Sequence, residues 1–504
     1  MKILIHILRT LVLTMLVVTG FAAMPPGQEV SIPDAGLEAA IREALHKPTG
    51  PLTEQDMLNL TQLSARSRNI SNVQGLETAH NLTALDLESN QLTSISFPNG
   101  LTNLNFLDLS FNPLVRLALS ADMTNLTDLE LSSDQLNILI VPAETRNLIA
   151  IDLQENHLTS LNLPSTLTHL NTLDLSVNNF TNLSLPAGLV ALTDLELWGN
   201  QLTNLNLPED MTNLIVLRLF FNQLTNLNFP ADLRTLSVVD LDNNHFSNFN
   251  APSNFTSVFS LTLRGNGLTN ATFPAGMTNL QFLFLNNNQL KDFMLTPGMT
   301  SLTQLHLEGN QLTSFNLPAG LTNLMFFGIG ANQLTNLTLP ADLGSMAQLD
   351  LEDNHLTNLA LPVGLTNLIL IVLDRNQLTS LTLPPDFAKP ATLLLDGNPL
   401  TTFVLPEPLA TMQLAPLIVS LRNQGVSVFT YPLTPNLASP RPTSVAAFEF
   451  TLTGPPGIYT VLASTDLAVW RELGKATNLL GSTMFIDVEA GLSPQKFYRV
   501  RAEP

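Results

Sequence analysis

The stretch LTALDLESNQL, residues 82–92, contains the pattern that decides the fold. Apolar and polar residues alternate at Leu85, Asp86 and Leu87, which predicts a short strand with one buried face. Asn90 follows this strand, and its amide can both donate hydrogen bonds to a bending backbone and accept them from it. The stretch therefore predicts a strand that leads into a tightly held turn.

The same pattern recurs every 22 residues, or after 44 where Asp134 stands in place of the asparagine. Fifteen units keep this period without an insertion, which predicts a solenoid in which each coil buries its apolar side against its neighbours. The predicted structural asparagine ladder consists of Asn90, Asn112, Asn156, Asn178, Asn200, Asn222, Asn244, Asn266, Asn288, Asn310, Asn332, Asn354, Asn376 and Asn398.

The repeat resembles the leucine-rich repeat, whose core reads Leu-x-x-Leu-x-Leu-x-x-Asn-x-Leu, and the resemblance covers residues 63–405. It implies a curved solenoid with a parallel sheet on the concave face and turns or short extended segments on the convex face. It also implies that a ligand meets the concave face. Residues 28–62 resemble the helical N-terminal cap of secreted bacterial proteins of the internalin type.

The sequence after the repeats predicts three further segments. Residues 406–432 combine a helical stripe with the strand-like VSVFTYP and form a C-terminal cap. Residues 433–442 are rich in proline, which is typical of a linker. Residues 443–504 alternate like strands and form a small sandwich-like β module. This module resembles C-terminal domains of planctomycete- and verrucomicrobium-type secreted proteins, and we expect Trp470 and Tyr498 to pack in its core.

Composition excludes several classes of protein. The formal net charge is −20, with no basic footprint for nucleic acid or anionic lipid. Residues 1–23 combine positive charge, a short apolar run and small residues, which predicts a signal peptide and an exported bacterial protein, secreted or at the cell surface. No later segment is apolar enough to span a membrane. The absence of cysteine excludes disulfides and thiolate chemistry.

No catalytic motif accompanies the repeats, so we expect no enzyme activity, no cofactor and no metal. An acidic ladder runs through Asp86, Asp108, Glu130, Asp152, Asp174 and Glu196. It can hold a cation or attract a basic partner, but acidic residues also keep a flat sheet soluble, and we favour solubility. A threonine column that includes Thr203 and Thr269 leaves binding of ice or a repetitive glycan as a remote alternative.

The outward strand positions change character from Trp198 onward, where large aromatic and basic residues replace small and acidic ones. Such residues dominate protein interfaces, so we predict a ligand-binding surface. Its residues are Trp198, Arg218, Phe220, Asp242, Arg264, Phe282, Phe284, His306 and Glu308. In this hypothesis Trp198 inserts into the partner, and the two arginines pair with acidic groups of the partner.

The sequence as a whole predicts an exported, non-catalytic binding protein that recognises a protein or glycan at its concave face. The alternative is a passive structural or cell-surface spacer. Neither the ligand nor the oligomeric state follows from the sequence.

Overall fold

The computed structural model describes residues 27–97, 100–387, 392–443, 447–492 and 495–503. The predicted signal peptide, residues 1–23, lies outside these described residues.

Sixteen strands within the described residues form one parallel sheet, the concave sheet. Consecutive strands pair in register at a spacing of 22 residues, so that Leu63 lies beside Leu85 and Leu195 beside Leu217. The strands are Gln62–Ser64, Ala84–Asp86, Phe106–Asp108, Asp128–Glu130, Ala150–Asp152, Thr172–Asp174, Asp194–Glu196, Val216–Arg218, Val238–Asp240, Ser260–Thr262, Phe282–Phe284, Gln304–His306, Phe326–Gly328, Gln348–Asp350, Leu370–Val372 and Thr392–Leu394. This architecture confirms the predicted leucine-rich repeat solenoid.

Each strand buries its middle residue and turns its two flanking residues outward. Leu195 is fully buried between the partly exposed Asp194 and Glu196, as the alternation predicts. Leu197, the next residue along the chain, is also fully buried. The inward leucines of all coils form one continuous core, so the outward side chains are not needed to fill it.

The ladder asparagines fasten each coil to the preceding one. The Asn222 Nδ2 donates to the carbonyl oxygens of Leu197 and Leu219 at 2.9 and 3.1 Å, and its Oδ1 accepts from the Leu202 N–H at 2.9 Å. All fourteen asparagines make the equivalent three bonds. The amide thus satisfies backbone groups that water cannot reach.

Asp134 occupies one position of this ladder with a different hydrogen-bonding capacity. Its Oδ1 accepts from the Asn112 N–H at 2.6 Å, whereas its buried Oδ2 has no hydrogen-bond partner among the described residues. Burial raises the pKa of the Asp134 carboxyl to about 8, with a smaller contribution from Asp108. The carboxyl is therefore mostly protonated at neutral pH.

The residue before each ladder position adopts the left-handed conformation. Its φ lies between 51° at Ala331 and 77° at Gly397, and only four of the fifteen coils place glycine there. Val177, with φ of 52°, is the least suited to it because its Cβ is branched. The ladder bonds hold this backbone in place in the fourteen coils that carry asparagine, since an isolated residue would lose about 1–2 kcal/mol on adopting it.

The convex side is made of turns and short strands, as the resemblance implies. Its strands are Arg116–Ala118, Ile138–Ile140, Asn182–Ser184, Asn204–Asn206, Asn248–Asn250, Asn270–Thr272, Ser380–Thr382 and Thr402–Pro406. In the intervening turns a glycine N–H often donates to an aspartate of the next coil, for example from Gly188 to Asp210 at 2.7 Å.

Helices cover both ends of the solenoid. Ala35–Ala44 begins at Asp34, whose Oδ1 accepts from the Gly36 and Leu37 N–H groups, and Glu54–Leu58 begins with a capping box. A short 3₁₀ helix, Leu76–Thr78, completes the N-terminal end.

At the other end, the helices Glu407–Thr411 and Ala415–Asn423 precede the strand Ser427–Tyr431, which pairs with Thr402–Pro406. The Tyr431 hydroxyl, which is buried, donates to the Leu383 carbonyl at 2.6 Å and ties this strand to the last coils.

The C-terminal module consists of two three-stranded antiparallel sheets. Its strands are Asn436–Pro442, Phe448–Thr453, Gly457–Ser464, Arg471–Asn478, Ser482–Asp487 and Phe497–Ala502, with a 3₁₀ turn at Ala490–Leu492. Phe450, Leu452, Tyr459, Val461 and Ala476 form a separate small core.

Two features of the module differ from expectation. Residues 436–442, within the predicted linker, form an edge strand, because an edge position tolerates prolines that a central strand excludes. Tyr498 packs on Phe448 and Phe450, as expected. Trp470 instead lies at the surface, half-buried beneath the Arg499 guanidinium at 4.2 Å.

No helix among the described residues combines the length and the apolar character that crossing a membrane requires.

Candidate functional site

The outward face of the concave sheet presents three columns of side chains. The first and third columns contain the first and third residues of each strand, and the fifth column contains the residue two positions after the strand. Within a column, neighbours are 22 residues apart in sequence and about 4.8 Å apart in space. Side chains of adjacent coils can therefore touch along the whole sheet.

The acidic ladder follows the third column, and an arginine forms ion pairs at its N-terminal end. The Arg66 guanidinium forms ion pairs with Asp86 and Glu88 and reaches Asp108 at 3.5 Å. Burial raises the pKa of the Asp108 carboxyl. These three acids are the one group within the described residues whose oxygens lie close enough to share a metal ion. Because Arg66 already supplies the positive charge there, the arrangement fits an internal ion-pair cluster better than a metal site.

Trp198 and Phe220 are neighbours in the fifth column and stack on each other. Their ring centroids lie 5.1 Å apart with an angle of 3° between the planes, and Phe221 meets Phe220 edge-on at 5.7 Å. Trp198 and Phe220 are half-buried, whereas Phe221 is 58% exposed. These three residues form the first aromatic group, and it contributes nothing to the core behind Leu197.

The two arginines of the predicted surface are paired within the chain. Arg218 forms an ion pair with Glu196, one strand away in the third column, and the Arg264 Nε donates to the Asp242 Oδ2 at 2.6 Å. Burial raises the pKa of both carboxyls, and the arginines oppose this shift. The hypothesis that both arginines are held ready for the partner's acidic groups therefore needs revision. Sequence cannot show this pairing because it depends on which way each guanidinium turns.

His306 lies between two phenylalanine rings. Its centroid is 4.5 Å from that of Phe284 and 4.2 Å from that of Phe326, with interplanar angles of 21° and 17°. Its Nδ1 lies 2.9 Å from the Glu308 Oε1. Phe284, His306 and Phe326 form the second aromatic group, and the Arg264 guanidinium lies over Phe284 at 5.0 Å from the ring centroid.

Gly328 explains why this group can form. A Cβ placed on Gly328 would lie 1.9 Å from the Glu308 Oε1 and 2.8 Å from the Phe326 ring. The missing side chain thus leaves the space that the carboxylate and the ring occupy. Gly328 has no positive φ among the described backbone conformations, so packing rather than backbone geometry accounts for this glycine.

The structure brings eight of the nine predicted residues into two neighbouring clusters on the concave sheet. Trp198, Phe220 and Arg218 lie together, and Asp242 with Arg264 connects them to Phe284, His306 and Glu308. Phe282 lies apart in the first column and meets Phe259 edge-on at 5.0 Å. Phe259 was missed because it precedes its strand, where the alternating pattern has not begun.

The sequence matches two models of the same kind of repeat. The model described as "Leucine Rich repeats (2 copies)" matches residues 80–120, and that described as "BspA type Leucine rich repeat region (6 copies)" matches residues 153–239 and 218–329. Together with the sheet and the ladder, these matches define the fold class: the solenoid is built of leucine-rich repeats. No curated protein matched the sequence.

Among solved structures, the solenoid is similar to the functional domain of InlJ from Listeria monocytogenes, which includes a cysteine ladder. The two share 20% identity with a TM-score of 0.57, over 86% of this chain and 97% of that one. This likeness shows a shared fold. The present chain contains no cysteine, so it has no counterpart of such a ladder.

Two further solved structures match with lower TM-scores. YopM from Yersinia pestis shares 24% identity at a TM-score of 0.48, over 72% of this chain and 88% of that one. A plant peptide hormone receptor, RGFR1 in complex with RGF2, shares 23% identity at a TM-score of 0.45, over 67% and 66%.

Proposed function

We propose that this protein is an exported, non-catalytic binding protein that recognises a protein partner with the two aromatic groups of its concave sheet. One observation carries the proposal: the six aromatic side chains of the two groups lie together on a face where the fold requires none. The leucines behind them complete the core, and most other coils carry small or charged residues at the same positions. Aromatic residues and arginine are enriched where proteins bind one another.

The orientation of the rings favours a protein over a glycan at this surface. Sugars stack on the flat faces of aromatic rings, but here one face of Trp198 and one of Phe220 cover each other, and both faces of His306 are covered by Phe284 and Phe326. The ring edges, together with the outer faces, remain for contact. Edges suit the apolar side chains of a protein partner, which pack without a fixed stacking geometry.

Charge also supports a partner with an apolar centre. Arg218 and Arg264 neutralise Glu196 and Asp242, so the aromatic groups lie in a locally balanced part of a protein whose net charge is −20. The acidic ladder extends from this surface towards the N-terminal cap. In the proposal it favours partners with a basic flank, because long-range attraction accelerates their encounter.

The export component rests on residues 1–23, which have the composition of a signal peptide. The non-catalytic component rests on the absence of any recognised catalytic motif from the sequence. A passive spacer is the competing function, and it predicts that the aromatic groups contribute to no interaction.

A matched pair of variants tests the proposal. Phe221 and Phe111 occupy equivalent positions five coils apart, with φ of 55° and 59° and exposures of 58% and 54%. Only Phe221 belongs to one of the two aromatic groups. The full mature chain is first used to isolate extracellular proteins that bind it. The affinity of each isolated partner for the wild type, Phe221→Ala and Phe111→Ala is then measured by biolayer interferometry.

We expect Phe221→Ala to weaken binding and Phe111→Ala to leave it unchanged. Trp198→Ala should weaken binding by about 2 kcal/mol, or roughly thirtyfold, as truncation of an interface hot spot does. Its effect on stability should stay near 1 kcal/mol, the value of the lost stacking with Phe220. Equal affinities for all three variants and the wild type would favour the spacer.

A further inference from the structure

A groove runs beside the concave sheet, at the side where the strands begin. Its volume is about 710 Å³, and it extends over five successive coils. Its lining residues are Gln281, Ser301, Thr303, Asn323, Met325, Ser345, Ala347 and Asn367. None of them carries a charge, although the whole protein carries a net charge of −20.

The local sequence explains why the groove forms here. In the column that precedes each strand, other coils carry exposed large residues such as Ile215, Phe259 and Ile369. Between Phe259 and Ile369 this column contains Gln281, Thr303, Met325 and Ala347, of which Thr303 and Ala347 are smaller. These two small residues leave space on either side of Met325.

A second column deepens the groove at every other coil. The Nδ2 of Asn323 donates to the Thr300 carbonyl at 3.2 Å, and that of Asn367 donates to the Gly344 carbonyl at 2.8 Å. Ser301 and Ser345 replace asparagine in the intervening coils, and neither makes an equivalent bond among the described residues. Asparagine and serine therefore alternate with a period of two coils, or about 9.6 Å.

The groove wall offers both hydrogen-bond acceptors and donors. Asn323 and Asn367 each donate one N–H to the backbone, which leaves the amide oxygen and a second N–H for a ligand. The Thr303 hydroxyl donates to the Gln281 carbonyl at 3.1 Å, so its oxygen is also an acceptor. An uncharged wall with both kinds of group matches an uncharged ligand with many hydroxyls, because each hydroxyl can donate and accept. Met325, which is 53% exposed, adds an apolar contact midway along the groove.

We propose that this groove binds a linear, uncharged oligosaccharide that lies across the successive coils. Its hydroxyl groups donate to the wall and accept from it, and the apolar C–H faces of its sugar rings rest on Met325. The two-coil period is roughly the length of a disaccharide, so alternate sugars meet equivalent surroundings. This groove shares no lining residue with the aromatic groups and does not depend on the protein-binding function proposed for them.

The test uses defined neutral hexasaccharides and the full mature chain. Cellohexaose, xylohexaose, mannohexaose, laminarihexaose and chitohexaose are titrated by isothermal calorimetry, with the fully charged hexamer of galacturonic acid as a control. We expect at least one neutral hexasaccharide to bind with a Kd below about 1 mM, and the charged hexamer not to bind. Absence of neutral binding, or equal binding of the charged hexamer, overturns the proposal.

Matched variants locate the binding. Ser345→Trp fills the groove. The control variant Ala191→Trp places the same side chain in the same column but outside the lining residues, because position 191 lies 154 residues, or seven periods of 22, before position 345. We expect at least about a tenfold loss of affinity in the first variant and none in the second. Met325→Ala, which adds no bulk, should also weaken binding. Retained affinity in both Ser345→Trp and Met325→Ala contradicts the proposal. Trp198→Ala tests the protein-binding surface instead, and it should leave the affinity for the glycan unchanged.

Discussion

Replacing Asp134 with asparagine should stabilise the protein, and the gain should depend on pH. In fourteen other coils the ladder amide donates to two carbonyl groups, whereas the Asp134 Oδ2 has no hydrogen-bond partner among the described residues. An ionised carboxylate at this position would face carbonyl oxygens that it cannot pair with. The folded protein therefore keeps the proton, which the unfolded chain releases at a much lower pH.

The magnitude follows from the two pKa values. The pKa of the Asp134 carboxyl is about 8 in the folded chain and about 3.9 when unfolded, and each unit is worth about 1.4 kcal/mol. The folded state binds more protons between these values, so the stability contributed by Asp134 is complete below pH 4 and falls as the pH rises to 8. At pH 7 the loss amounts to about 4 kcal/mol, which Asp134→Asn should restore because the amide does not titrate.

Urea unfolding followed by circular dichroism at pH 4, 7 and 9 provides the measurement. The reciprocal variant Asn178→Asp serves as the matched control, since it introduces the same carboxyl into a coil with a complete set of ladder bonds. We expect Asp134→Asn to gain stability over wild type at pH 7 and 9 and Asn178→Asp to lose it, with both differences small at pH 4. A gain that is independent of pH, or no gain at pH 9, would refute the reasoning.

Three further changes test other parts of the fold. Asn222→Ala should lower the free energy of unfolding by about 1–3 kcal/mol, because the Leu197 carbonyl and the Leu202 N–H lose buried partners. Thermal melting at neutral pH measures this loss, and an unchanged melting curve would show that the ladder is dispensable. Val177→Gly should stabilise the chain by up to about 1 kcal/mol, since glycine adopts a φ of 52° without steric cost; a loss of stability in chemical denaturation would contradict this. Tyr431→Phe should lower the free energy of unfolding by about 1–2 kcal/mol and increase hydrogen exchange in Ser427–Tyr431, because the bond to the Leu383 carbonyl is lost. Unchanged exchange would mean that this bond does not hold the closing strand.

The period of the sequence predicted the fold because leucine-rich repeats depend on local, repeated contacts. The alternation at Leu85, Asp86 and Leu87 was sufficient to predict a strand, its buried face and its neighbours. The left-handed backbone at Val177 was not predictable, because it arises from the turn that the ladder bonds impose rather than from the preference of valine. The strand at residues 436–442 was missed because its prolines are compatible with an edge strand as well as with a linker.

The sequence predicted which residues share the candidate surface, but it did not predict how their side chains contact one another. Outward columns follow from the strand period, so Trp198 and Phe220 could be placed side by side from their spacing alone. The ion pair between Arg218 and Glu196 depends on side-chain rotation, which a repeat does not encode. The space at Gly328 likewise becomes meaningful only when the neighbouring side chains are placed.

The ladder has a consequence for how such a chain changes length during evolution. The three amide bonds of Asn222 reach only its own coil and the one before it. A duplication or deletion of 22 residues would therefore rejoin each amide to the same kinds of partner, whichever coil was gained or lost. The terminal helices would still cover the same surfaces. Recombination between repeats can thus shift the aromatic groups nearer to one end or the other in whole-coil steps, without any new contact having to be selected.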